Sequence, residues 1–337
     1  MMRTWNLALV GFGNVGQELV RQLVAKRAEL RHRYGIDWRL TGVASRRIGW
    51  LADPAGFDLA RLLAGPPAPS PDGPRDVRQW LGAARADVLF EASSLNRFSG
   101  QPAIEHLRAA LESGAHAISA NKGPVVYAYH ELRDLAESRQ RRFLFESTVM
   151  DGTPVFSLFA YGLPAANLRG FRGVLNSTTN VVLTEMERGL SFDAAVKKAQ
   201  EMGVAETDPT DDLEGWDSAV KVAAMVTVLM GHPIALSQVD RVGITGITPE
   251  QICEAQAAGR RYRLVCRAER TPEGVRASVR PESLPLSDPL AMFEGNNPAL
   301  YFDLDVYGLS VIEHGAGVVS TAYGMLADFI RAVSLGC

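Results

Sequence analysis

The sequence predicts an α/β fold: a doubly wound, Rossmann-type parallel sheet joined to a second, α+β domain. Three observations carry that expectation. Short apolar runs alternate with apolar residues at helical spacing through the first part of the chain, the first such run ends in a glycine-rich turn, and the pattern changes character after residue 146. A length of 337 residues is enough for about two domains.

Leu7-Ala-Leu-Val10 reads as the first strand, Gly11-Phe-Gly-Asn-Val-Gly16 as a turn, and Glu18 to Leu30, with Leu19, Val20, Leu23 and Val24 on one face, as a helix. Trp38 to Ala44 is a second strand. Asp87 to Ala92 and His116 to Ala120 are two more, with a helix from about Pro102 to Ser113 between them. From Gly65 to Arg75 stand Pro66, Pro67, Pro69, Pro71 and Pro74, which neither a helix nor a central strand accepts, so this is a surface loop. Beyond Phe143-Leu-Phe-Glu146, strands are expected at Phe171–Leu175 and Val275–Val279, and helices at Ala194–Met202 and Asp217–Met230. The expected division is 1–148 for a nucleotide-binding domain and 149–309 for a substrate and dimerisation domain, with 310–337 returning to the first through an apolar helix, Thr321 to Val333.

Composition removes several function classes. The 35 Lys and Arg against 38 Asp and Glu leave a formal charge of −3, so no basic field draws in nucleic acid or an anionic membrane. Val222 to Met230, the longest late apolar run, is half a membrane span, and the first apolar run is too short for a signal peptide. Cys253, Cys266 and Cys337 form no C-x-x-C pair, which argues against a disulfide framework and fits a reducing cytoplasm. Cys337 reads as a tail thiol, able to crosslink two subunits if it lies near a two-fold axis. The six histidines have no metal-ligand spacing, so no catalytic zinc is expected.

Gly11-x-Gly13-x-x-Gly16 matches the dinucleotide fingerprint. The first glycine makes the tight turn, the second admits a pyrophosphate to the backbone, and the third lets helix pack on strand. The turn, with Asn14 and Val15 in it, opens the amphipathic helix, whose N-terminal N–H groups and dipole favour an anion. A carboxylate ending the second strand would bond the ribose 2′-OH of NAD, and an arginine would meet the 2′-phosphate of NADP. Asp37 precedes that strand and so lies at the opposite edge, whereas Ser45-Arg46-Arg47 ends it, which favours NADP with NAD still open. Ser93, just past the strand at 87–92, and Gly315 complete the cofactor candidates.

Lys122, in Ala120-Asn-Lys-Gly-Pro124, follows a strand directly and is expected at the sheet's carboxyl edge, where ligands of such folds bind. From Glu206 to Asp217 run six carboxylates in twelve residues, with no Lys or Arg among them. Asp217 and Lys221 are i,i+4 neighbours on a helix that is apolar nearly all round further on. An ion pair entering the core is a poor source of stability, so chemistry explains it better, a desolvated lysine exchanging protons near neutrality.

At these residues the chain resembles homoserine dehydrogenase. The matching segments are the glycine turn, Ser119-Ala-Asn-Lys-Gly-Pro124, Glu146 with Val149-Met-Asp-Gly-Thr-Pro154, Thr178-Thr-Asn180 with Leu183-Thr-Glu-Met186, Gly203 to Asp217 with Lys221, and Gly315-Ala-Gly317. The resemblance implies nicotinamide-dependent interconversion of L-aspartate 4-semialdehyde and L-homoserine, a step toward threonine and methionine. It implies that Lys221 gives the proton to the aldehyde oxygen, that Asp217 positions it, and that Lys122 sits between nicotinamide and substrate. Glu206 and Asp212 receive the substrate's ammonium, and Ser177 and Thr178 lie beside its carboxylate. A monovalent cation such as sodium is implied at the Glu146 side chain and the carbonyls of Val149, Asp151 and Thr153. A homodimer is implied as well.

The chain departs from the family pattern at three places: Ser177 replaces the glycine before Thr-Thr-Asn, Met150-Asp151 replace small residues, and Glu313 replaces a glycine. The C-terminal ACT regulatory domain of longer members is expected to be absent. Two other readings stay open. One is a paralogous NADP-dependent reductase of another small aldehyde or keto acid; the other is a nucleotide-binding sensor without turnover, which the retention of Lys122, Glu206, Asp217 and Lys221 disfavours.

Overall fold

The computed structural model describes residues 3–68 and 73–334. Cys337 and two of the loop prolines, Pro69 and Pro71, lie outside the described residues. The chain divides into two compact units, one of residues up to Phe156 together with the segment from Gly317 on, the other Ser157–Ala316. The joints fall at 156/157 and 316/317, against the expected 148/149 and 309/310. Residues 149–156 stay with the first unit because the buried Glu146 carboxylate accepts the N–H groups of Val155 and Phe156, both at 2.7 Å.

The first unit holds a six-stranded sheet: β1 (Thr4–Val10), β2 (Asp37–Ser45), β3 (Gly49–Ala52), β4 (Val88–Glu91), β5 (His116–Ser119) and β6 (Phe143–Leu144). Their order is β3-β2-β1-β4-β5-β6. Every pairing is parallel except β2 with β3, a hairpin edge that the sequence reading did not include. The order reverses between β1 and β4, so the carboxyl edge at that junction is the place where open α/β sheets bind ligands. Leu7, Leu9, Phe90 and Ile118 are fully buried there, packed with Leu19 and Leu23 of the helix Asn14–Ala25.

The helix Val318–Ser334 closes this core. Met325, Leu326 and Phe329 are fully buried, and Phe329 meets Phe90 edge to face at 5.9 Å. Truncating such a phenylalanine to alanine typically costs about 3–5 kcal/mol. Gln22 adds a hydrogen bond from Nε2 to the Val319 carbonyl at 2.8 Å, tying the helix to Asn14–Ala25.

The second unit holds β7 (Leu168–Val174), β8 (Asp240–Arg241), β9 (Arg260–Thr271), β10 (Gly274–Pro285), β11 (Ala299–Leu304) and β12 (Gly308–Ile312), in the order β12-β11-β7-β9-β10-β8. All pairings are antiparallel except β10 with β8. Helices run over Ser177–Glu187, Phe192–Glu201 and Trp216–Leu229. β7 lies inside the sheet, between β9 and β11, so the residues that follow it are held on a rigid element. The Trp216–Leu229 helix packs on β9 and β10 and is fully buried from Val222 to Val226, which is why its sequence is apolar all round.

Candidate active site

The glycine turn in the first unit has the backbone its sequence requires. Gly11 has φ +95°, and a Cβ there would lie 2.2 Å from the Ala92 carbonyl oxygen, so the turns after β1 and β4 touch at the switch point. A Cβ at Gly16 would lie 2.2 Å from the Gly11 carbonyl oxygen, so helix and turn are equally close. Around Gly13 no atom lies within 4 Å of a Cβ position, and this residue and Asn14 are exposed. The first bond of the following helix runs from the Gln17 N–H to the Gly13 carbonyl at 2.9 Å, leaving the N–H groups of Asn14, Val15 and Gly16 outside the ladder. Two tight glycines and one open one, below a free helix end, fit a dinucleotide pyrophosphate.

Ser93 and Lys122 lie at the same carboxyl edge, in the segments after β4 and β5. Asn121 joins these segments. Its Nδ2 donates to the Ser93 carbonyl at 3.1 Å and the Ser94 carbonyl at 3.3 Å, while its Oδ1 accepts the Gly123 N–H at 2.9 Å. Lys122 is half-buried as the N-cap of the helix Gly123–Ser138. Beneath it, the fully buried Glu91 accepts from the Ser93 hydroxyl, from the Ser93 N–H at 3.3 Å, and faces His106 Nδ1 at 3.3 Å. Neither Asn121 nor Glu91 was singled out in the sequence. The signal for Glu91 was a carboxylate ending a strand that is otherwise buried on both faces.

Arg46 and Arg47 form the turn between β2 and β3, both exposed, and neither is held by a described carboxylate. Asp37 opens β2 and caps its own strand through the Trp38 N–H at 2.9 Å, at the edge opposite the glycine turn.

A polar cluster gathers at the end of β7 in the second unit. Lys221 Nζ lies 3.0 Å from Asp217 Oδ2 and donates to the Leu175 carbonyl at 2.6 Å. Asn176 caps the helix Ser177–Glu187 by accepting the Thr179 N–H at 2.9 Å. Its Nδ2 bridges the acidic pair, donating to Asp212 Oδ1 at 2.7 Å and Asp217 Oδ2 at 3.1 Å. Thr178 Oγ1 donates to Asp212 Oδ2 at 2.9 Å. Ser177, half-buried, begins that helix. The side chains of Lys221 and Asp217 are 14% and 19% exposed, enough for a small molecule to reach a pair otherwise taken out of water.

The electrostatics follow from this packing. Burial pushes the Asp212 carboxyl above its ordinary value and the Asp217 charge adds to that, against the bonds from Asn176 and Thr178. Two carboxylates and one ammonium leave an excess of negative charge, which a cationic group of a substrate would neutralise. Burial also pushes the thiol of Cys266, on β9 below this helix, up to about 12, which marks how dry the floor of the cluster is.

Not every candidate joins the cluster. Glu206 lies on an exposed loop held through its backbone, its carbonyl accepting from Gln200 Nε2 at 3.2 Å, and its carboxylate touches none of Asp212, Asp217 or Lys221. Gly315, with φ +76°, sits in the second unit, its N–H donating to Asn297 Oδ1 at 3.3 Å. Asn176 is the member of the cluster that the sequence reading left out. Its signal was an asparagine between a strand and a Ser-Thr-Thr helix start, an N-cap pattern.

Family comparison agrees with both units. A family model described as "Homoserine dehydrogenase" matches residues 154–330, and one described as "Homoserine dehydrogenase, NAD binding domain" matches residues 11–146. An NAD(+)-dependent homoserine dehydrogenase of Pseudomonas canavaninivorans is 36% identical, over 98% of this chain and 96% of its own length. A homoserine dehydrogenase of Sulfurisphaera tokodaii is 32% identical, over 96% of this chain and 97% of its own. The crystal structure of a homoserine dehydrogenase from Thiobacillus denitrificans is similar with a TM-score of 0.84 at 28% identity, covering 99% of this chain and 74% of that one. Likeness of this extent, running through both units, places the chain in the homoserine dehydrogenase family, oxidoreductases that act on a CH–OH group with a nicotinamide cofactor.

Proposed function

We propose that the chain interconverts L-homoserine and L-aspartate 4-semialdehyde with Lys221 as the group that moves the proton at the substrate oxygen. The observation that carries this assignment is the fixed ammonium, held by Asp217 at 3.0 Å and by the Leu175 carbonyl at 2.6 Å on a helix whose remainder is core. The nicotinamide, when bound, gives or accepts the hydride. Lys221 donates a proton to the oxygen that gains negative charge, and takes one up in the reverse direction. Asp217 orients the ammonium and stabilises its charge, and Asn176 orients Asp217. Asp212, ionised more readily once a cation faces it, receives the substrate's ammonium, with Glu206 reaching it from the loop. The end of the helix at Ser177 and Thr178 takes the substrate's carboxylate.

For the cofactor, the proposal is NADP bound through Arg46 and Arg47, whose guanidiniums meet no described carboxylate and are left for a 2′-phosphate. A second reading, NAD, is favoured by the relative from Pseudomonas canavaninivorans, an NAD(+)-dependent homoserine dehydrogenase. Lys122, Ser93 and the glycine turn serve the nucleotide in either case. A homodimer and a cytoplasmic location belong to the same proposal. They rest on the family resemblance; among the described residues no helix is long and apolar enough to cross a membrane. Initial rates of L-homoserine oxidation with NADP+ and with NAD+ test the reading. Turnover with a higher kcat/KM for NADP+ is expected, a higher value for NAD+ moves the cofactor assignment to the second reading, and no turnover with either removes the substrate assignment.

A further inference from the structure

Glu146 is 2% exposed and opens a single helical turn after β6. Its Oε1 accepts two backbone N–H groups, those of Val155 and Phe156, each at 2.7 Å. Its Oε2 faces Arg331 Nη2 at 3.2 Å. The same Nη2 lies 2.7 Å from Asp328 Oδ1, and Asp328 Oδ2 accepts the Glu146 N–H at 2.9 Å. One guanidinium therefore joins two carboxylates that are both almost fully buried, and it comes from the helix Val318–Ser334.

The family resemblance places a monovalent cation on Glu146 and three carbonyls of the turn that follows. We propose that in this chain the Arg331 guanidinium supplies that positive charge, so that the turn from Glu146 to Thr153 is organised without sodium or potassium. Glu146 is the one anionic donor of the expected set, since the others are neutral carbonyls. One of its oxygens already receives two N–H hydrogens and the other already faces a cation, so a metal ion would have to displace a hydrogen bond or sit beside a like charge.

The turn is also held by contacts that need no ion. Asp151 Oδ2 accepts the Gly317 N–H at 2.6 Å and the Ser320 hydroxyl at 3.2 Å, and its Oδ1 accepts the Thr321 hydroxyl at 3.0 Å. These bonds hold Asp151 at φ +45°, a left-handed conformation that a non-glycine residue adopts only with such support. A Cβ at Gly152 would lie 2.3 Å from the Ser320 carbonyl oxygen, and one at Gly324 would lie 2.3 Å from Ser147 Oγ and 2.9 Å from the Asp151 carbonyl oxygen. The turn is thus clamped on the helix that carries Arg331. Asp151, one of the two positions that depart from the small residues usual in the family, is part of that clamp.

The test compares the wild-type chain in sodium, potassium and choline chloride at equal ionic strength, by thermal melting and by homoserine oxidation. An ion that binds the folded state raises its melting temperature by mass action, by several degrees at saturation. The proposal expects melting temperatures within about 1 °C of one another and rates within about two-fold across the three salts. A rise in melting temperature with sodium or potassium but not choline, or a several-fold activation by either, overturns it. Melting is read without substrate, so it stands even if the substrate assignment fails. Arg331→Met should lower the melting temperature in choline and regain part of the loss in sodium or potassium, while Arg331→Lys should stay indifferent to the salt. An Arg331→Met chain that melts like the wild type in choline contradicts the proposal. If that variant does not fold, the wild-type comparison decides alone.

Discussion

Replacing Asp212 by asparagine keeps the shape of the cluster and removes the charge that faces the substrate. In the wild type, Asp212 accepts from Asn176 Nδ2 at 2.7 Å and Thr178 Oγ1 at 2.9 Å, and asparagine can keep one of these bonds through its own Oδ1. What it cannot keep is the negative excess of two carboxylates over the single Lys221 ammonium, because Asp217 and Lys221 then balance. A charge-assisted hydrogen bond to the substrate's ammonium is worth about 1.5–3 kcal/mol, so kcat/KM for homoserine should fall by about 10–150-fold. The assay compares homoserine with 4-hydroxybutyrate, which has the same alcohol and carboxylate but no ammonium. The wild type should prefer homoserine strongly, Asp212→Asn should lose most of that preference, and the Kd for the nucleotide should not change. An equal loss on both substrates would mean that Asp212 supports the cluster and does not read the ammonium.

Three other outcomes follow from the same geometry. Arg46→Asp should cost about 1.5–3 kcal/mol of NADP+ binding and shift the preference toward NAD+, and an unchanged ratio in it and its Arg47 counterpart would refute the 2′-phosphate assignment. Glu206→Gln should raise KM for homoserine while leaving the nucleotide Kd alone, and because Glu206 is exposed the effect should be smaller than that of Asp212→Asn; equal shifts in both constants would remove it from the substrate. His116 accepts the Arg142 N–H on Nδ1 at 3.1 Å, and burial, with the charges of Arg141, Arg3 and Arg142, pushes its pKa from 6.5 down to about 4. Between these values the unfolded chain takes up the proton first, so the contribution of His116 to stability is complete above about pH 6.5 and falls by about 2–3 kcal/mol as pH drops toward 4. His116→Asn, whose Oδ1 can replace Nδ1 as acceptor, should flatten the melting temperature over that window; an unaltered acid limb would place its cause elsewhere.

The sequence was most legible where a single pattern served both local structure and the site. The glycine turn is such a place, since spacing, the strand before it and the helix after it all agree, and the observed φ at Gly11 and the close approaches at Gly11 and Gly16 are what that spacing demands. The Asp217–Lys221 pair is another, because i,i+4 spacing on an apolar helix leaves the two charges nowhere else to go. β3 escaped notice because Arg46-Arg47 reads as the end of a strand rather than the turn of a hairpin. β9 was hidden by its five arginines at 260, 261, 263, 267 and 270, which break the apolar alternation. One of them, Arg263, is fully buried, because Glu187 at 2.8 Å and the carbonyls of Phe293, Ala291 and Tyr262 take up its donors. Apart from the neighbouring Tyr262, those partners come from two distant stretches of chain, at Glu187 and at Ala291 and Phe293, so no local pattern announces it. The isolation of Glu206 from Asp212 has the same origin: six residues apart in a dense acidic segment, they are separated by the backbone bonds from Gln200 to Glu206 and Thr207 and by the short helix Thr210–Leu213.

The central assignment is that Lys221 moves the proton, and single-turnover hydride transfer in Lys221→Met tests it most directly. Methionine keeps the apolar stem, but it takes away the cation that neutralises Asp217, so the variant should melt below the wild type, and a thermal melt establishes that it is folded before its rate is read. A positioned acid or base contributes roughly 10²–10⁴ in rate, and hydride transfer should slow by that factor with nucleotide affinity unchanged. A folded Lys221→Met chain that transfers hydride at nearly the wild-type rate would contradict the account, and Lys122 would then be the next proton donor to examine.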